Sequence, residues 1–235
     1  MPEPFWIAFG DIHDDLTRLR DIPDVEKAAG VLLNGDLTLG GGVKQAERVL
    51  AAVRKRTLVC YAQIGNMDRP EITDYLEQGG HNLHGRAKEL FPGVYAVGVG
   101  ASPFTPFGTP SEFPESRLAE WLEQSLKEAE ALWAEASPST LREIPRLVLV
   151  SHAPPQATAC DRLHNGTPVG STAVRAFIEE HQPDVCLCGH IHEAKGVDRL
   201  GKTLVINTGT LGSGGYAVLT RPTPNGPVVA ELRAC

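Results

Sequence analysis

The sequence predicts an α/β or α+β fold with layered sheets, and three observations carry that prediction. Short apolar runs alternate along the chain with stretches of helical periodicity. The early runs end in a small residue followed at once by a polar one, as strands do when they open onto a crevice. The composition is 42% hydrophobic and 22% charged over 235 residues, enough to bury a core of its own and too apolar for wholesale disorder. One domain, residues 1–235, is the expectation.

The apolar runs at 5–9, 31–33, 58–64, 147–150 and 185–188 read as buried strands. Val43, Ala46, Val49, Leu50 and Val53 repeat at helical spacing. So do Leu118, Leu122, Leu126, Ala129 and Trp133, and also Val174, Phe177 and Ile178 behind a Ser171 or Thr172 cap. Further strands are expected at 94–99, 203–207, 216–220 and 228–232, the last ones joined by short Gly/Pro turns as a meander. Residues 104–114, rich in Pro and Gly, form the one long irregular stretch, either a surface connection or a lid over a site. There is no internal repeat and no low-complexity tract.

Charge and cysteine usage narrow the function classes. The net charge of −7, with Lys and Arg scattered, does not suit a nucleic-acid groove, so no nucleic-acid partner is expected. No apolar run approaches the roughly 20 residues of a membrane span, so no membrane partner is expected either. Met1-Pro2-Glu3-Pro4 lacks the basic-then-apolar layout of a signal peptide, and a cytoplasmic location is the expectation. Five cysteines, Cys60, Cys160, Cys186, Cys188 and Cys235, sit mostly in apolar runs and read as reduced core thiols. The Cys186-x-Cys188 pair is too tight for a zinc knuckle and lacks a second pair.

The chemistry lies in the strand endings: Gly10-Asp11-Ile12-His13, Asn34-Gly35-Asp36, Gly65-Asn66-Met67-Asp68, Ser151-His152-Ala153-Pro154 and Gly189-His190-Ile191-His192. Any one of them alone is a turn or a packed histidine. Together, in this order, they are a metal site, because the carboxyl ends of the strands of an open sheet face one crevice. Imidazole, carboxylate and amide donors suit Mn, Fe, Ni or Zn and not the all-oxygen preference of Ca²⁺. Asp68 reads equally as a partner behind the ligands or as a helix cap near Pro70. Asp14 and Asp15 read as solvated helix-start acids, and His81, His84 and His164 stand outside the ligand set. His164 or Arg162, after the Ser-His motif, either reaches a substrate or lies on a surface loop.

The endings resemble the pattern D-x-H, G-D, G-N-x-D/E, a strand-ending His and G-H-x-H of calcineurin-like metallophosphoesterases, and the segments 65–68, Pro103-Phe104-Thr105-Pro106-Phe107, 151–155 and 188–194 resemble the small bacterial and archaeal single-domain branch within them. The resemblance implies a four-layer αββα sandwich with two mixed sheets and a dinuclear centre of two divalent transition-metal ions. It implies that Asp11, His13 and His192 hold the first ion, that Asn66, His152 and His190 hold the second, and that Asp36 bridges both. The implied function is hydrolysis of a phosphodiester or phosphomonoester in a small phosphate-ester substrate, with a hydroxide shared by the two ions attacking phosphorus. Asp36, Asn66 and His164 are the expected catalytic residues. The alternatives are a non-catalytic metal-binding interaction module of the same fold and, third, a nuclease. The chain departs from many members at Met67, where they carry a histidine that protonates the leaving oxygen. A thioether donates no proton.

Overall fold

A computed structural model describes residues 3–136 and 145–235; Met1 and Pro2, part of the N-terminal reading, lie outside them. In chain order the elements are β1 (Phe5–Phe9), β2 (Gly30–Leu33), α1 (Val43–Arg54), β3 (Cys60–Ala62), α2 (Glu71–Gln78), β4 (Ala87–Phe91) and β5 (Val94–Val99). There follow α3 (Glu115–Ala136), β6 (Arg146–Ser151), α4 (Thr172–His181), β7 (Val185–Cys188), β8 (Gly196–Leu200), β9 (Thr203–Asn207), β10 (Gly215–Thr220) and β11 (Val229–Ala234). They build two mixed sheets, one of five strands in the order β11-β10-β1-β2-β3 and one of six in the order β4-β5-β6-β7-β9-β8.

Why these segments are strands follows from what covers them. Along β1, Ile7 and Phe9 enter a core shared with α1 and α2, while Trp6 and Ala8 point into a second core between the sheets. Along β6, Val148 and Val150 enter that same middle core, whereas Leu147 and Leu149 enter a third, shared with α3 and α4. In β7, Val185 and Leu187 face inward and Cys186 and Cys188 face the helices. The side-chain period of two thus feeds three cores. Strands buried on both faces read as unbroken apolar runs rather than as alternations. Three cores between layers make the four-layer αββα sandwich.

The helices answer to their stripes. Ala46, Val49, Leu50 and Val53 are the buried face of α1, and Leu118, Leu122, Leu126 and Ala129 that of α3. Ser171 caps α4, its side chain accepting the Val174 N–H at 3.2 Å, so Ser171 is the cap and Thr172 the first helical residue. Four of the five cysteines are buried and all five are free thiols. Among the described residues no helix is long and apolar enough to cross a membrane.

Two expectations need correction. The meander at the end of the chain is only the antiparallel β10–β11 hairpin; β9 lies in the other sheet, parallel to β7 and antiparallel to β8. The strand expected at 58–64 shrinks to Cys60–Ala62, since β3 is an edge strand and Leu58 stands 96% exposed before it.

Candidate metal centre

β1, β2 and β3 run parallel in the five-stranded sheet, and β6 and β7 run parallel in the six-stranded one. Their carboxyl ends therefore deliver Asp11 and His13, Asp36, Asn66, His152, and His190 and His192 to one place, although the endings come from two sheets rather than from one open sheet. The first two loops are laced directly: the Asp36 carbonyl accepts the N–H groups of both Ile12 and His13, at 2.8 and 3.0 Å.

The backbone is bent to make this convergence. Asp11, His13, Asp36 and His190 all have positive φ, between 45° and 66°, and they are four of the nine described non-glycine residues that do. Such conformations cost energy and persist where function demands them. The glycines of the motifs serve the same packing: a Cβ on Gly65 would lie 2.0 Å from Asp36 Oδ1, and one on Gly189 would lie 2.0 Å from Asp11 Oδ2. Each Gly thus leaves room for the carboxylate of another motif.

The side chains form two adjoining groups. His192 Nε2 lies 3.2 Å from Asp11 Oδ1 and 3.3 Å from His13 Nε2, and His13 Nε2 lies 3.8 Å from Asp11 Oδ1. Asn66 Oδ1 lies 2.9 Å from His152 Nε2 and 2.7 Å from His190 Nδ1. Asp36 Oδ2 stands between the groups, 3.7 Å from His13 Nε2 and 3.5 Å from His152 Nε2. Donor atoms of Asp11, His13 and His192 all lie within 4.8 Å of one another, as do those of Asp11, Asp36 and His152.

The residues fit divalent cations. Asp11 and Asp36 are 1% and 2% exposed, and among the described residues no Lys or Arg pairs with either. The side-chain nitrogens that face these two buried carboxylates are all imidazole nitrogens, groups that can give up a proton and take a metal ion in its place. Burial and the His152 charge hold the His190 pKa down to about 4, leaving a neutral imidazole able to ligate. His152 is the opposite case: burial pulls it down, but Asp36, with Asp11 and Asp68, outweighs burial and raises it to about 9. Its Nδ1 lies 3.2 Å from the Asn34 carbonyl, a contact that aims Nε2 at Asn66 and Asp36. Uptake of a cation at Nε2 would displace a proton.

Behind this set is a supporting layer. The Asp68 carboxylate accepts the Leu37, Thr38 and Gly65 N–H groups and the Thr38 hydroxyl, at 2.8 to 2.9 Å. It therefore stitches the loop carrying Asp36 to the loop carrying Asn66 and does not cap α2. Burial and the nearby Asp36 charge push its pKa up to about 7 against those donors. Asn66 Nδ2 donates to Thr109 Oγ1 at 3.0 Å, and Thr109 Oγ1 donates to Glu112 Oε1 at 2.6 Å. This chain fixes which end of the amide faces the histidines. Glu112 also accepts from the Thr109 N–H and from the N–H and hydroxyl of Thr105. Burial opposes its ionisation, but these bonds prevail and hold its pKa down to about 2.

A cavity of about 810 Å³ opens over the centre, within the range of ligand pockets. Asp11, His13, Asp36, Asn66, His190 and His192 line it, together with Met67, Leu39, Phe107 and Thr109. His152 is fully buried behind them. The structure does not bring His164 there: it lies on an exposed turn, and Arg162 next to it donates to the Thr158 and Gly166 carbonyls instead. Asp14 and Asp15 are exposed as expected, but no α-helix starts there; Asp15 accepts from Thr17 and borders the cavity. Sequence reasoning assigned no role to Leu39, Thr109 or Glu112, and it marked Phe107 only as part of the 103–107 segment that carries the resemblance. Leu39, Thr109 and Glu112 lie in connections that no periodicity marks, and for the last two the signal was the Pro/Gly character of 104–114 and its reading as a lid over a site.

The fold and site together define a class: a two-sheet sandwich whose strand ends gather carboxylate, imidazole and amide donors. A model of the calcineurin-like phosphoesterase family matches residues 7–194, and the chain belongs to that family. An uncharacterized protein of Methanocaldococcus jannaschii is 30% identical to it over 210 residues, 86% of each chain. The crystal structure of TT1561 from Thermus thermophilus has a TM-score of 0.65 at 19% identity and is matched over 99% of both chains. Purple acid phosphatase PPD1 from yellow lupin seeds has a TM-score of 0.61 at 14% identity, over 98% of this chain and 51% of its own. Likeness at such identities concerns the fold alone.

Proposed function

We propose that this protein is a dinuclear metal-dependent phosphoesterase that hydrolyses a small phosphodiester in preference to a monoester. The observation that carries the reading is the pair of buried carboxylates, Asp11 and Asp36, ringed by four histidines and an amide with no Lys or Arg beside them. Asp11, His13 and His192 would hold one ion, Asn66, His152 and His190 the other, and Asp36 both. Two such ions, of Mn, Fe, Ni or Zn, would make a water more acidic at neutral pH and stabilise charge developing at phosphorus.

The chain's own residues do the rest. Asn66, oriented by Thr109, keeps its oxygen turned to the centre. Met67 donates its N–H to Asp36 Oδ1 at 2.8 Å and lines the cavity with a thioether, so this position gives the leaving oxygen no proton. Among the described residues no Lys or Arg lines the cavity, while Asp15 borders it. The single charge of a diester suits such a wall better than the double charge of a monoester, and an oligonucleotide backbone finds no cationic track there.

The test strips the protein of metal, reloads it separately with Mn²⁺, Fe²⁺, Ni²⁺ or Zn²⁺, and assays phosphomonoesters, diesters and cyclic nucleotides. Turnover of diesters above monoesters with at least one metal is the expected result. Tight metal binding with no cleavage of any ester would instead make the chain a non-catalytic interaction module.

A further inference from the structure

The wall of the cavity is unusual for a centre that handles a charged group. Leu39 is 64% exposed and Phe107 83%, and both line the same cavity as Asp36, Asn66 and His192. They come from separate connections, Leu39 from that between β2 and α1 and Phe107 from that between β5 and α3, and the half-buried Met67 joins them. Phe104, 70% exposed, is on the same connection as Phe107. Large apolar side chains gathered in the open around a polar site mark contact with an apolar ligand surface.

The wall is also held in place. The Phe107 N–H donates to Thr105 Oγ1 at 3.1 Å, and the Thr105 hydroxyl donates to Glu112 at 2.5 Å. The Ser111 N–H donates to the Asn66 carbonyl, and the Ser111 hydroxyl to the Asp68 carbonyl at 2.6 Å. On the other connection, the Leu39 N–H donates to Asp14 Oδ2 at 3.1 Å and the Gly40 N–H to the Met67 carbonyl. Leu39 is thus tied by its backbone to Asp14, beside His13, while Phe107 stands on a turn held by Thr105 and Glu112 and joined through Ser111 to the Asn66 and Asp68 carbonyls.

We infer that Leu39, Met67 and Phe107 form a binding wall for an apolar or aromatic ester group, so that the substrate class is a monoanionic phosphodiester with at least one such group. This inference rests on the phosphoesterase reading and deepens it. The polar phosphoryl group belongs at the carboxylate and histidine donors, and the wall takes the organic group that an inorganic phosphate or a dimethyl ester lacks. Burying one phenyl face against such a wall is worth roughly tenfold in affinity.

Phosphinate anions test this without turnover, since they carry the single charge of a diester and have no ester bond to break. On metal-loaded protein, calorimetry should show diphenylphosphinate binding about tenfold or more tighter than dimethylphosphinate. In Phe107→Ser and Leu39→Ser the ratio should fall toward one. In Leu58→Ser, an equally apolar and exposed residue lining a different surface, it should stay at the wild-type value. Metal content, measured on each sample, separates loss of the wall from loss of the centre. A wild-type ratio near one in a protein that hydrolyses nitrophenyl diesters would overturn the wall and leave the phosphoesterase reading standing. Binding of neither phosphinate, with no hydrolysis of any ester, would overturn both. A ratio unchanged in both cavity variants would place the apolar group elsewhere and overturn the assignment of these residues.

Discussion

Met67 follows Asn66 directly and faces the cavity, and its chemistry sets a limit on the substrate. General acid catalysis contributes about 10²–10⁴ in rate, most where the leaving oxygen is strongly basic. A protein with a thioether at that position should cleave aryl diesters far faster than alkyl diesters. Met67→His should raise alkyl-ester turnover while changing aryl-ester turnover little, as read from kcat/KM across leaving groups of graded pKa. His164→Ala should alter neither series, because His164 lies outside the cavity. A wild-type rate indifferent to leaving-group pKa would remove this account of Met67, and a selective loss of alkyl-ester activity in His164→Ala would restore the acid role expected from the sequence. At this scale the sequence was most legible for Asp11, His13, Asp36, Asn66, His152, His190 and His192, since each closes a strand and carries a donor. Thr109 and Glu112 were not legible: they act by orienting Asn66 across 43 positions, and no local pattern records such a partner.

Elements were legible in proportion to their burial. The central strands β1, β6 and β7 and the stripes of α1, α3 and α4 stand where the apolar pattern puts them. β4 and β8 escaped notice, and both are edges of the six-stranded sheet. β4 carries Lys88 and Glu89, and β8 carries Asp198 and Arg199 and is half exposed throughout, as edge strands that avoid pairing with other chains tend to be. α2 offers only Ile72 and Leu76 to the core, too short a stripe to read. Just before β4, His84 links the second sheet to α3. It is buried, its Nδ1 accepts the Gly100 N–H at 2.9 Å, and its ring packs edge-on against Trp121 at 4.2 Å. Burial, with the Arg117 charge, lowers its pKa from 6.5 to about 4. The folded state thus disfavours the proton that the unfolded chain takes up below pH 6.5, so this group removes stability as pH falls from about 6.5 to about 4 and adds no further loss below that. Its contribution to the slope reaches at most about 1.4 kcal/mol per pH unit. Urea unfolding midpoints of the metal-free protein should therefore fall less steeply over that window in His84→Gln than in wild type, and equal slopes would show that His84 is not held neutral.

At the scale of the whole molecule, two sheets back to back bring the ends of parallel strands from both to one rim, and that rim is the site. The family pattern foretold the four layers because each of its motifs sits at the turn where a strand leaves the core. It left the wall of the cavity unspecified, since connections are free to vary while the layers are not. A chain with a net charge of −7 then places its buried carboxylates where cations can offset them. Asp36 is the residue that the proposed centre would share between its two ions. Elemental analysis of stripped and reconstituted protein tests this sharing: about two transition-metal ions per chain are expected for the wild type, with Asp36→Asn losing tight binding of both and activity with it. Reconstituted protein without metal, or an Asp36→Asn variant that keeps two tightly bound ions and full activity, would contradict it.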